Sequence, residues 1–257
     1  MTSTNLMRLA GRKAIVTGSG SHGIGRAIAL RFAREGADVV VHGHGRPELT
    51  EGLAEEIRAM GRTSKAFDVD FSEPARVRGF MKEATGFLGG LDILVANAAT
   101  ITRKPFLDIT DEEFSKVQSV NLHGYFACSQ EAARTMVKAG YGRIIMVSSI
   151  NQQKAIRNQA HYCASKGGIM QLAKTMAIEL AQTGVTVNII APAAALTDFN
   201  RHIMADEAVR KRFEKEIPAG RLAVPEDFTG AAAYLASEES AFMTGASMFI
   251  DGGRSLA

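Results

Sequence analysis

The sequence predicts an α/β fold, a doubly wound parallel sheet of about seven strands with helices on both faces. Three observations predict it. Short apolar runs of strand length alternate with longer stretches whose apolar residues recur at helical spacing. A glycine-rich turn stands between the first strand and the first helix. The chain has 257 residues, 46% of them hydrophobic, enough to bury the core of such a sheet as one domain over residues 1–257.

The first strand is expected at 13–17, Lys-Ala-Ile-Val-Thr, after a polar start. Gly18-Ser-Gly-Ser21-His22-Gly23-Ile24-Gly25 follows, and Arg26-Ala-Ile-Ala-Leu-Arg-Phe-Ala-Arg-Glu reads as an amphipathic helix. Gly36-Ala37 ends it, and Asp38–His42 is the second strand. Strand, glycine loop, helix and strand within about 30 residues form the context in which such a loop binds a dinucleotide. Its glycines let the backbone turn tightly and approach a pyrophosphate lying at the helix N-terminus. Further strands are expected at 64–68, 92–96, 142–148, 185–190 and 247–250, with helices between them. The stretch from about 193 to 218 is less regular and carries mixed charge. It follows the carboxyl end of a strand, where α/β sheets bind ligands, and is the expected lid over a substrate.

Tyr162 and Lys166 lie four residues apart, one turn along a single helix face. An ammonium held there favours the phenolate and moves a phenol of ordinary pKa near 10 toward physiological pH. A phenol so tuned exchanges protons at an alcohol or ketone carbon as a general acid/base. Surface helices contain Tyr-x-x-x-Lys by chance. Here the pair follows a complete dinucleotide loop and the serines Ser148 and Ser149, which makes it a candidate site.

Over essentially its whole length the chain resembles the short-chain dehydrogenase/reductase family, in its simple form of about 250 residues. Asn97-Ala98-Ala99 resembles the family's Asn-Ala-Gly motif, and Asn121 matches its helix asparagine. Ser149 stands thirteen residues before Tyr162, as the family's serine does. Pro192-Ala193 followed by Thr197 resembles the segment that closes over the nicotinamide, and Asp68-Val69 the adenine-side contact. Gly220-Arg-Leu-Ala-Val-Pro-Glu-Asp and Phe249-Ile-Asp251-Gly-Gly253 fit as well. The resemblance implies a Rossmann-type sheet and hydride transfer between a nicotinamide and a carbinol or carbonyl carbon. It implies that Tyr162 exchanges the proton, Ser149 holds the substrate oxygen, and Lys166 lowers the tyrosine pKa and binds the nicotinamide ribose. Asn121 would support a water chain behind the lysine. Gly18, Gly23 and Gly25, with Ser21, His22 and Ile24, would shape the pyrophosphate loop, and Thr197 would bind the carboxamide. A homo-oligomer, a tetramer in relatives, is implied too. Three departures stand out: four residues rather than three separate Gly18 from Gly23, and Ala99 and Ala193 occupy usual glycine positions. An added methyl is tolerable where φ stays negative.

An acidic residue about 20 positions after the first glycine marks an NAD ribose contact in many dinucleotide folds. Asp38 has that spacing but opens its strand, whereas the ribose lies past the other end. That end reads His42-Gly-His44-Gly-Arg46, without a carboxylate. An arginine there pairs with a 2′-phosphate, and His22 adds a hydrogen-bonding group, so NADP(H) is favoured with NAD(H) open. For the substrate, Asn151, Gln152 and His161 offer polar partners in segments similar to the glucose-dehydrogenase side of the family, which points to a sugar or polyol. A 3-oxoacyl thioester reductase is the alternative. A non-catalytic dinucleotide sensor or scaffold is the remote one, since such a protein would normally lack the tyrosine or the lysine.

Net charge is only +3, which gives no electrostatic footprint for nucleic acid. Cys128 and Cys163 are too few and too far apart for a disulfide framework or a metal knuckle, and no metal site is expected. Met1-Thr-Ser-Thr-Asn shows no signal-peptide pattern, and no apolar run approaches bilayer length. The expectation is a cytoplasmic protein with a small-molecule substrate and no membrane partner.

Overall fold

A computed structural model describes residues 7–257, and its strands pair into one parallel sheet. The strands are β1 (Lys13–Val16), β2 (Asp38–Gly43), β3 (Ala66–Asp68), β4 (Ile93–Ala96), β5 (Gly142–Val147), β6 (Val185–Pro192) and β7 (Ser247–Ile250). Their order is β3-β2-β1-β4-β5-β6-β7. The direction of winding reverses between β1 and β4, so a crevice opens above the carboxyl ends of those two strands. The connecting helices are α1 (Ile24–Arg34), α2 (Pro47–Ala59), α3 (Pro74–Leu88), α4 (Asp111–Gln118), α5 (Gly124–Ala139), α6 (Ala160–Leu180), α7 (Arg201–Met204), α8 (Glu207–Lys215) and α9 (Thr229–Ala236).

Side chains on a strand alternate between faces, and the two cores follow that period. Ile15, Leu94, Ile144 and Val187 pack with Val77, Phe80 and Met81 of α3 and with residues of α5 and α6. Their strand neighbours Val16, Val95 and Ile145 face the other way, onto Ile28 and Phe32 of α1, Leu53 and Ile57 of α2, and Leu235 of α9. Phe32 is fully buried, and Phe32→Ala would cost about 3–5 kcal/mol through lost burial and the cavity left behind.

The strands fall where the apolar runs place them, with one informative difference. β6 continues to Pro192 rather than ending at 190, because β7 pairs along it as far as Pro192↔Ile250. That extension carries the chain to the rim of the crevice. The expected lid region is also more ordered than its sequence indicates: α7 and α8 lie within it, and Asp206 caps α8 by accepting from the amides of Ala208 and Val209. Met204, Ile217 and Leu222 form a small core of their own beneath it.

Candidate active site

The glycine loop emerges from β1 and meets three other segments. Gly18 takes φ +64°, and a Cβ there would lie 2.6 Å from the Ala98 Cα, so both conformation and space require glycine. Asn97 Nδ2 donates to the carbonyls of Thr17 and Gly18, at 3.0 and 2.9 Å, clamping the loop to the end of β4. The Gly18 amide donates to His42 Nδ1 at 3.1 Å, and His42 Nε2 donates to the Val69 carbonyl at 2.9 Å. Burial pushes the His42 pKa down to about 4, so the ring is neutral with its proton on Nε2. Gly20, one of the four residues between Gly18 and Gly23, lies so close to Thr50 of α2 that a methyl would run into the hydroxyl. Ala99 and Ala193 carry no strain, because Asn158 is the only non-glycine residue with positive φ among the described residues.

At the far side of the crevice, β5 delivers Ser149 and α6 delivers Tyr162 and Lys166. Ser149 Oγ accepts from the Asn151 amide at 3.1 Å. Lys166 Nζ donates to the Val147 carbonyl at 3.0 Å, and Tyr125 Oη donates to the same oxygen at 2.9 Å. The ammonium lies between the Tyr125 and Tyr162 rings, 5.3 and 5.5 Å from their centroids. Burial brings the Lys166 pKa down to about 7 and pushes the Tyr162 phenol up to about 12, with Ser149 and then Arg103 opposing the rise. This corrects the simple expectation from the four-residue spacing. Both groups are buried, and loss of water disfavours the charged form of each. Asn121 lies in a π turn, Ser119–His123, a form often found at functional sites. Its side chain accepts from the Thr100 amide at 2.8 Å and donates to Ser165 Oγ at 3.1 Å, behind the lysine helix.

One cavity of about 1380 Å³ joins these two sides. Gly18, Ser21, Gly23 and Ile24 line one part, with His44, Arg46 and Val69 beyond them. Asn97, Ala98, Pro192, Ala193 and Thr197 line the middle, and Ser149, Asn151, Tyr162 and Lys166 the other part. His22, Gly25, Asp68 and Asn121 were expected at the site but do not line this cavity: Gly25 and Asn121 are buried, and His22 and Asp68 are exposed beside it. Gln152 and His161, offered as substrate partners, do not line it either. His161 is fully buried, with Nε2 2.6 Å from Thr102 Oγ1. Asp38 accepts from the Thr63 amide at 2.7 Å, at the opposite end of its strand, as its position there predicts.

Three residues that sequence reasoning passed over belong to the site. Asp198 accepts from the His22 amide at 3.0 Å and pairs with Arg201 at 3.1 Å, while Arg46 lies 3.8 Å away. Tyr125 shares the Val147 carbonyl with the lysine, and its only sequence signal is a position four after Asn121. Arg103 lines the cavity near Tyr162. The corner past β2 is also less free of acid than its own sequence implies. Asp68 and Asp70, from the β3 side, lie 3.3 and 3.7 Å from the His44 ring nitrogens.

The cradle fits a dinucleotide. Gly23 caps α1 without a side-chain bond, leaving first-turn amides available, and glycines hold the backbone close. The family description "Enoyl-(Acyl carrier protein) reductase" matches residues 18–255. The chain belongs to the short-chain dehydrogenase/reductase family. As a short-chain dehydrogenase/reductase it is an NAD(P)-dependent oxidoreductase acting between alcohol and ketone. It is 36% identical to an L-rhamnose 1-dehydrogenase (NAD(P)(+)) of Sphingomonas sp. over 95% of this chain and 96% of the relative. It is 35% identical to a 3-oxoacyl-[acyl-carrier-protein] reductase of Staphylococcus aureus, covering 94% and 97% of the two chains. Among solved structures, a gluconate 5-dehydrogenase from Burkholderia cenocepacia in complex with NADP and tartrate superposes with TM-score 0.92 at 35% identity, covering 100% of both chains. Among the described residues, no helix is long and apolar enough to cross a membrane.

Proposed function

We propose that the protein interconverts a secondary alcohol and a ketone on a sugar or polyol, with NADP(H) as the preferred cofactor. The observation that carries this reading is the single cavity running from the glycine loop to Ser149, Tyr162 and Lys166. Gly18, Ser21, Gly23 and Ile24 would hold the pyrophosphate, and His44 and Arg46 the adenosine end with its 2′-phosphate. Val69, Asn97, Ala98, Pro192, Ala193 and Thr197 would contact the rest, with His22, Gly25 and Asp68 shaping the loop and corner. The bound nicotinamide would supply or accept the hydride.

The chain's own residues would manage the proton and the orientation. Tyr162 Oη would donate to a ketone oxygen or accept from a hydroxyl, and Ser149 Oγ would hold that oxygen by a hydrogen bond. Lys166 would bind the ribose and place positive charge behind the phenol. Asn121 would brace the lysine helix through Ser165. Asn151 Nδ2 is occupied by Gln159 Oε1 at 3.0 Å, and its Oδ1 would accept from a substrate hydroxyl. We read residues 1–257 as one catalytic domain, with 193–218 as a lid over the substrate. Exposed Phe126, Ile178 and Phe242 support a homo-oligomer, for which we propose a tetramer, and a cytoplasmic location is our reading.

Similarity to the rhamnose and gluconate dehydrogenases supports the sugar side. The nearly equal similarity to the Staphylococcus reductase keeps a 3-oxoacyl thioester as the second reading. The test is a substrate panel of sugars, polyols and 3-oxoacyl thioesters with NADP(H) and NAD(H), read by nicotinamide absorbance. Turnover of hydroxyl-rich substrates supports the proposal. Efficient thioester reduction with no sugar or polyol turnover transfers it to the acyl reading.

A further inference from the structure

The substrate part of the cavity carries two arginines that no acid neutralises among the described residues. Arg103 and Arg157 line it with Ser149, Asn151 and Tyr162, and neither has an ion pair or a side-chain hydrogen bond there. Other arginines on the cavity wall are matched: Arg46 lies near Asp198, and Arg254 pairs with Glu216. Lys104, next in sequence to Arg103, is taken by both oxygens of Glu113 at 2.9 Å. Of these two adjacent cations, one is neutralised and the other lines the cavity.

The residues on either side of Arg103 are anchored. Thr102 Oγ1 bonds His161 Nε2, directly before Tyr162, and the Lys104 amide donates to the Asn158 carbonyl at 2.9 Å. The second bond joins the backbone around Arg103 to that around Arg157, and both arginines line the cavity. Asn158 takes φ +63°, a conformation that asparagine tolerates better than most residues and that concentrates at ligand sites. Gln159 and Asn151, bonded to each other, complete this wall with polar groups. Two arginine forks beside hydroxyl-pairing amides match a carboxylate on a hydroxylated chain, because the planar guanidinium binds both carboxylate oxygens at once.

We propose that the substrate is a polyhydroxylated monocarboxylate of the aldonate class, with its carboxylate on Arg103 and Arg157 and its reacting carbinol at Tyr162. This rests on the sugar or polyol reading of the site. Arg103 and Arg157 thereby become the residues that select charged over neutral substrates.

The test compares kcat/KM for an aldonate, the matching neutral aldose or alditol, and the aldose phosphate, using the full-length protein with saturating NADP(H). The parent should prefer the aldonate at least about tenfold, and its KM for the aldonate should rise with ionic strength. Arg103→Gln should cut the acid-over-neutral ratio about 10- to 100-fold, mainly through KM, and weaken competitive inhibition by small hydroxy acids in parallel. Arg103→Lys should recover part of the ratio, since it keeps the charge and loses the fork. A parent that favours the neutral sugar, or a ratio unmoved in Arg103→Gln, overturns the inference while leaving the sugar reading intact. Preference for the phosphate overturns the carboxylate assignment. Thioester turnover alone removes the sugar reading, and this inference with it. Should Arg103→Gln fail to fold, the parent's substrate ratios and their salt dependence still decide.

Discussion

At the amino ends of the strands, Arg8 and Arg31 share Glu35, Arg12 and Arg143 share Glu238, and the Tyr141 ring lies between Arg12 and Arg143. At the carboxyl ends, Arg103 and Arg157 have no acid, and Lys166 is buried against one carbonyl. The residue types are similar and their uses are opposite. Paired charges at the closed end, the nearly buried Glu35 and Arg143 among them, join α1 to the segment before β1 and β5 to the turn after α9. Unmatched charges at the open end raise the local affinity for anions, while burial keeps Tyr162 and Lys166 away from their ordinary pKa values. Helix starts show the same contrast. α4 begins on a Thr110–Glu113 capping box away from the glycine loop, whereas α1 begins on Gly23 with no side-chain cap.

Breaking each end separately sharpens the contrast, and the largest effect belongs to the open end. Tyr162→Phe should lower turnover about 10²–10⁴-fold while retaining the melting temperature and cofactor affinity, because it removes one hydroxyl from a packed ring. Steady-state kinetics beside cofactor titration checks this, and turnover within a few-fold of the parent would sink the role. At the closed end, Glu35→Ala should do the reverse. Two arginines bond a nearly buried carboxylate there, Arg8 reaching both oxygens at 2.7 Å, so losing it should cost about 3 kcal/mol. That corresponds to a melting temperature lower by about 6–12 °C with KM unchanged, measured by thermal unfolding.

His42 belongs to the open end but acts on stability. Its folded pKa of about 4 lies below the ordinary 6.5 because burial penalises the charged ring. The unfolded chain therefore takes up this proton first as pH falls. Its contribution is complete above about pH 6.5 and is lost progressively down to about pH 4, amounting to about 3 kcal/mol. Denaturant unfolding across that range should show the slope, and His42→Leu should remove it; an unchanged slope would exclude His42 as the source. The smallest effect is expected from Arg46→Ala. NADPH affinity should fall about 10- to 100-fold while NADH affinity holds, since only a 2′-phosphate needs the guanidinium. Equal losses would mean that Arg46 serves Asp198 rather than the cofactor.

Much of this architecture was legible in the chain because strands and helices are written locally. The apolar runs locate the strands, the glycine loop identifies the first turn, and Asp38 reads as a strand-opening residue on the side away from the ribose. The Tyr162–Lys166 pair and Ser149 were legible for the same reason, since fixed spacing on one helix and strand needs no tertiary knowledge. Arg103, Asp198 and Tyr125 were not. Each is an ordinary residue type whose importance comes from a partner far along the sequence: His161 and Asn158 for the Arg103 loop, His22 for Asp198, Val147 for Tyr125. The expected effect of Lys166 on Tyr162 erred for a related reason, because spacing reports proximity and not the removal of water.

The bonds between His22 and Asp198 run both ways: the His22 amide donates to the carboxylate, and the Asp198 amide donates to the His22 carbonyl at 2.9 Å. The segment leading into α7 and α8 is thus fastened to the loop that would receive the pyrophosphate. A ligand that shifts either piece moves the other, so cofactor and substrate affinities become linked, each changing the other by the same factor. Dissociation constants for NADPH with and without a substrate analogue, and for the analogue with and without NADPH, should therefore change by one common ratio. That ratio should shrink in Asp198→Ala, and a ratio of one in the parent would show that the fastening transmits nothing.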